Sequence, residues 1–344
     1  MRLKPVIASY SGETFSRISQ YLDENVLQVI ADVARTPRES KDIKEDVRTE
    51  LVDMHVLAER DGLVVLDTAV FLHEDIESIL TVVTPLAREL AQRVLESGAA
   101  FRDAPPEVTL FLAGIIGLVQ GVGRTAKLKQ IGVDWKGYSG KYAQSKVDFD
   151  ELCEAYEDLG ADYLNKTVLW GERHTAVFIG PGGTSFRSLA QPMHASTASR
   201  QYARHLIHYL VDAYAMLIKG EIQSAALCSA AEAANLFRQG QPRTSVITAE
   251  TMSRYGSAVE TIIDLASSYY GGELGTFDAL LRATTPGRQG VPPANMMLHL
   301  WRYVRKVTAH ELYANGFFTD ALPQEGSLTV FYENDAERIA QLFS

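Results

Sequence analysis

Cysteine is nearly absent from this 344-residue chain: Cys153 and Cys228 are the only two, and they lie far apart. No CxxC pair exists, which argues against a zinc ribbon, a dithiol redox centre or a disulfide framework, and points to buried, reduced thiols. Long hydrophobic runs are also missing. The most apolar stretch, 108–122, is broken by Gly114, Gly117 and Gly121 and falls short of the roughly 20 residues a bilayer requires. The N-terminal MRLKPVIASYSGETFS has no apolar core of the length a secretory signal needs. A cytoplasmic protein with no membrane partner is therefore expected. Basic residues are outnumbered, 33 Lys and Arg against 43 Asp and Glu, for a net charge of −10. That balance argues against a nucleic-acid-binding surface over the whole molecule, while leaving room for a local basic patch.

Motifs of established chemistry are lacking too. There is no GxSxG elbow, kinase set, P-loop or GxGxxG turn. His310-Glu311 begins like a zinc-protease HExxH, but position 314 is alanine, so that reading fails. No spacing assembles a nucleophile, a base and an orienting group. An enzyme is the less favoured class, and no cofactor is indicated. The apolar fraction of 46% and charged fraction of 22% are those of a globular protein long enough for two domains.

The most legible stretch is 24–72, ENVLQVIADVARTPRESKDIKEDVRTELVDMHVLAERDGLVVLDTAVFL. Val26, Leu27, Val29, Ile30 and Val33 recur at helical spacing, and Pro37 ends that helix. A short helix over 38–45 and a longer one over 48–60 follow. Leu51, Val52, Val56 and Leu57 form the buried side of the longer helix, and Asp61-Gly62 is its stop. LVVL and AVFL, separated by Asp67-Thr68, then predict a hairpin. This order resembles the DNA-binding domain of bacterial winged helix-turn-helix regulators over about a seventh of the chain. The resemblance implies a DNA partner, with Arg48, Thr49 and His55 facing the groove and Lys41 and Lys44 on phosphates. The residues themselves show five basic against seven acidic side chains over 38–60, a net of −2. A winged helix that docks a protein rather than DNA is the alternative.

A long helix over 73–96, interrupted in pattern by Pro85, follows as a connector; in the resembled regulators such a helix implies a homodimer. Ser97-Gly98 and Ala104-Pro105-Pro106 mark a boundary. The expected division is a winged-helix domain with connector over 1–97 and a mainly helical ligand- or partner-binding domain over 107–344. The second domain opens with a buried helix over 107–121. The segment 121–146 is the most basic, with Trp135, Tyr138 and Tyr142 among its lysines, a pattern of either a solvated, glycine-loosened loop anchored by its aromatics or a site for nucleic acid or a phosphorylated ligand. An amphipathic helix is expected over 148–164. Strand, turn, strand and glycine loop fit 164–190, where Gly182, Gly183 and Arg187 form either an anion cradle or a plain turn. Helices are expected over 196–237, 248–270, 277–281 and 296–313, with a long loop over 284–295 and a strand over 328–333. Arg200, Arg204 and His205 share a helix with His208 and Asp212. His205 and His208 are spaced for one metal, yet lack a fixed third ligand.

The sequence thus predicts a mainly α protein: an N-terminal winged helix-turn-helix domain followed by a larger helical domain with a small β element. Its expected role is a DNA-binding transcriptional regulator sensing a small ligand, anionic if the glycine turn cradles it. The candidate ligand residues are Gly182, Gly183, Arg187, Arg200, Arg204 and His205. The alternatives are a protein-docking scaffold or an enzyme acting on a phosphorylated small molecule.

Overall fold

A computed structural model describes residues 3–6, 21–119, 148–157, 166–179, 197–234, 236–318 and 328–334. It is mainly helical, with small sheets. The expectations for 121–146 and for the 180–190 glycine loop lie outside the described residues.

In chain order the elements are β1 (Leu3–Val6), α1 (Glu24–Arg35), β2 (Arg38–Glu39) and a 3₁₀ turn (Ser40–Asp42). Next come α2 (Glu45–Asp53), β3 (Leu57–Arg60), β4 (Leu63–Leu66), β5 (Val70–Phe71) and α3 (His73–Ser97). After α4 (Pro106–Thr109) and a π-helix (Leu110–Val119) follow β6 (Asp148–Glu151), α5 (Glu154–Glu157), β7 (Lys166–Trp170) and β8 (His174–Ile179). The chain continues with α6 (Thr197–Ile218), α7 (Ala225–Ala233), β9 (Phe237–Arg238), β10 (Gln241–Pro242) and β11 (Val246–Ile247). Last are α8 (Ala249–Gly272), α9 (Leu274–Ala283), α10 (Thr285–Arg288), α11 (Pro293–Ala314) and β12 (Leu328–Glu333).

These elements form two compact units that interleave along the sequence, a division different from a single cut near 98–106. One unit comprises Met1–Glu89, Gly123–Gly160 and Ser267–Val307; the other comprises Leu90–Val122, Ala161–Ala266 and Thr308–Ser344.

In the first unit, Asp23 caps α1 by accepting from the Val26 N–H at 2.9 Å, which satisfies a donor the helix itself leaves unpaired. Ile30 and Val33 are fully buried on its inner face. Helix α1 ends at Arg35, where Thr36 turns extended ahead of Pro37. The predicted 38–45 helix is instead β2 and a single 3₁₀ turn. The predicted 48–60 helix is also displaced, running from Glu45 to Asp53. His55 ends it by adopting a left-handed φ of 55°. The His55 N–H donates to the Val52 carbonyl and the Val56 N–H to the Leu51 carbonyl, the paired bonds of a Schellman stop.

Released from the helix, Leu57–Arg60 pairs antiparallel with Leu63–Leu66. The turn between them is Asp61-Gly62, both at positive φ, 53° and 78°. Two such residues match the right-handed twist of the strands they join. The hairpin therefore sits earlier than the predicted one around Asp67-Thr68, and β2 adds to it in the order β2-β4-β3. Gln289 holds this layer from far along the chain. Its amide donates to the Val33 and Ala34 carbonyls at the end of α1, each at 2.8 Å, and its carbonyl accepts from the Leu66 N–H at 3.0 Å. Gln289 follows α10, a helical turn inside the predicted 284–295 loop.

A second small sheet, ordered β1-β6-β5, has β6 at its centre. Here 148–151 is a strand, not the start of the predicted amphipathic helix, and among the described residues of that stretch Glu154–Glu157 alone are helical. Helix α3 runs unbroken through Pro85.

In the second unit, β8 is wholly buried and lies between β12 and β7, with β11 parallel to β12 on the far side. Val211, Tyr214 and Ala215 of α6 join Ala176, Phe178 and Phe331 in one apolar cluster. Glycine in the π-helix is required by space: a Cβ at Gly117 would stand 2.6 Å from Ile262 Cγ2.

Candidate functional site

Helix α2 and the residues flanking it carry the side chains the sequence offers to DNA, and the structure already engages several of them. Arg48 pairs its Nε with Glu59 Oε1 at 2.8 Å and donates from Nη1 to the Ser40 carbonyl. It is therefore braced across the unit between the 3₁₀ turn and β3, with its side chain 22% exposed. His55 is spent on ending the helix, and its Nδ1 lies 3.6 Å from Asp67 Oδ2. Lys41 pairs with Glu39. Thr49 and Lys44 are exposed, but Glu45, Asp46 and Asp53 are exposed on the same short helix. Two of those acids lie in the first turn, where carboxylates complement the helix dipole. The outward side of α2 is thus predominantly acidic.

The strongest concentration of buried charge in the first unit lies between β6 and α11. The alternation of a strand sends Asp148 and Asp150 to one face. His299, Arg302, Tyr303 and Lys306 occur at i, i+3, i+4 and i+7, which places them on one face of α11. His299 Nε2 approaches Asp150 Oδ1 at 2.6 Å, and Nδ1 approaches Asp148 Oδ2 at 3.5 Å. Arg302 pairs with the other oxygen of Asp150. Thr68 donates to Asp148 Oδ1 at 2.8 Å. Phe71 packs edge-on against the His299 ring at 4.6 Å. Tyr156 lies beneath two cations, with the Arg302 guanidinium 5.4 Å and Lys306 Nζ 4.0 Å from its ring centre.

The electrostatics follow from these contacts. Burial alone would raise the Asp150 carboxyl, but His299 and Arg302 beside it hold its pKa down to about 2. Burial works against a charged His299, yet the adjacent carboxylates, Asp150 above all, leave its pKa above the ordinary value. Burial pushes the Tyr303 phenol well up, with the negative charge of Asp150 adding to the effect.

Sequence reading placed a helix over 296–313 but missed the acidic partners of its inner side. The available signal was DFDE at 148–151, whose alternation fits a strand. The predicted ligand residues Gly182, Gly183 and Arg187 lie outside the described residues. Arg200, Arg204 and His205 are within α6, though their side chains lie outside the described ones. His208 is exposed. Asp212, farther along α6, plays a structural part. Its carboxylate accepts from the N–H groups of Glu172, Arg173 and His174 and lies 3.1 Å from His174 Nδ1. It organises the β7–β8 turn, where a Cβ on Gly171 would meet Asp212 Oδ1 at 2.7 Å.

Among the described residues, no group of three or more His, Cys, Asp or Glu side chains could hold a metal ion. No helix among them is long and apolar enough to cross a membrane. Compared with protein families, curated proteins and solved structures, the chain matches none.

Proposed function

We propose that residues 24–66 are a winged helix-turn-helix module that docks a basic protein surface, making this chain a regulatory interaction protein. The winged-helix part of the reading rests on element order and on the β2-β4-β3 sheet, with Asp61-Gly62 as the wing tip. The choice of partner rests on one observation. The exposed side of α2 presents Glu45, Asp46 and Asp53, while Arg48 and His55 are engaged within the module. Affinity for duplex DNA comes largely from cations placed on phosphates, whereas this face would repel them.

A DNA-binding regulator is the second reading. Exposed Lys44 and Thr49, at the start and on the outer side of α2, favour it. A photo-crosslinking amino acid at position 49, activated in an extract of the native cells, separates the two. The docking reading expects a protein adduct that disappears when Glu45, Asp46 and Asp53 are all changed to Lys. A nucleic-acid adduct, or a protein adduct indifferent to that charge reversal, would overturn it.

A further inference from the structure

His299 is enclosed by charged and aromatic groups from several elements. From β6, Asp150 faces its Nε2 and Asp148 its Nδ1. From α11 itself come Arg302, paired with Asp150, and the Tyr303 ring with its centre 5.5 Å away. Lys306 lies one turn farther along α11, over the Tyr156 ring of α5. Phe71 of β5 closes the apolar side. A neutral imidazole has one N–H and one lone pair, whereas the imidazolium has two N–H donors. Here each ring nitrogen faces a carboxylate oxygen. In either neutral tautomer, one nitrogen would turn a lone pair toward an anion; only the imidazolium satisfies both.

We propose that His299 is a protonation-dependent latch that holds β6 against α11 while both ring nitrogens carry a proton. The consequence reaches beyond the pair. Asp148 also receives the Thr68 hydroxyl, and the Phe149 N–H donates to the Ala69 carbonyl. These contacts fasten 68–71, the segment leaving the β3–β4 hairpin, to β6. When the proton leaves, Asp148 loses its cationic partner and keeps the neutral Thr68 contact. The raised pKa of His299 sets the direction. The latch is closed below the ordinary histidine value, near 6.5, and opens as pH rises through the higher folded value.

The test uses the full chain with ¹⁵N-labelled histidine rings, titrated by NMR from mildly acidic to alkaline pH, with His299→Gln identifying the resonance. Amide exchange is followed in parallel over 66–72 and 148–151, corrected for its intrinsic pH dependence. The expected result is a ring protonated on both nitrogens at the acid end, with a midpoint above the ordinary histidine value of about 6.5. As it titrates, exchange in both segments should accelerate about tenfold or more, with 174–179 unchanged as a control. A midpoint at or below the ordinary histidine value overturns the proposal, as does protection that ignores the titration. If His299→Gln does not fold, Asp148→Asn provides the check, since its amide oxygen still accepts from Thr68. That variant should lower the His299 midpoint, and an unmoved midpoint overturns the latch.

Discussion

At the scale of single residues, the first unit depends on side chains that each satisfy several partners. Gln289 makes three hydrogen bonds to backbone groups of α1 and β4. Replacing it by Ala leaves two carbonyls and one N–H to find water or go unpaired. The expected loss is about 2–3 kcal/mol, read as a lower urea midpoint with an unchanged m-value. Gln289→Glu should be worse, because a carboxylate would face two carbonyl oxygens. His55 permits a second check: a β-branched side chain tolerates its left-handed backbone poorly, so His55→Val should cost about 1–2 kcal/mol, while His55→Gly should be neutral or stabilising. Equal stability of the two variants would show that the residue does not set the helix stop. Asp150 defines an acid limit. Its pKa near 2 lies below the ordinary carboxyl value, so its stabilising effect is complete above about 4 and is lost as pH falls toward 2. Asp150→Asn should flatten that part of the acid unfolding curve. No change in the curve would remove Asp150 from the account.

At the scale of elements, what could be read from sequence divides along local and non-local causes. Helix α1 was legible because its apolar stripe and Pro37 are both local signals. So were β7, β8 and β12, whose apolar runs are compatible with burial in a sheet. The β3–β4 hairpin was misplaced because Asp61-Gly62 serves equally as a helix stop and as a hairpin turn. What decides is His55, a residue of no special helix-ending reputation held at positive φ. The 148–151 strand was missed for a different reason. Two aspartates in four residues look like a solvated helix face until His299 and Arg302, about 150 residues away, are placed opposite them. The turn reading is open to test. Gly62, at φ +78° with open space around its missing Cβ, should lose about 1 kcal/mol on change to Ala from backbone strain alone. Gly117→Ala should cost more, because its Cβ would meet Ile262. Thermal unfolding of the two variants ranks these effects, and the reverse order would contradict the packing argument.

At the scale of the whole molecule, an acidic chain of net charge −10 also carries acidic side chains on the outward side of α2, the side that the proposed winged-helix reading would need to be cationic for DNA. On the proposed reading, this face does not engage duplex phosphate. Fluorescence anisotropy of a labelled duplex, taken from the region upstream of the protein's own gene and titrated at two salt concentrations, tests it most directly. The account predicts no saturable binding at low salt by the folded chain, and none gained when Glu45 alone is changed to Gln. Tight binding that weakens steeply with salt and falls on Lys44→Ala would contradict it, and would place α2 in the groove of DNA.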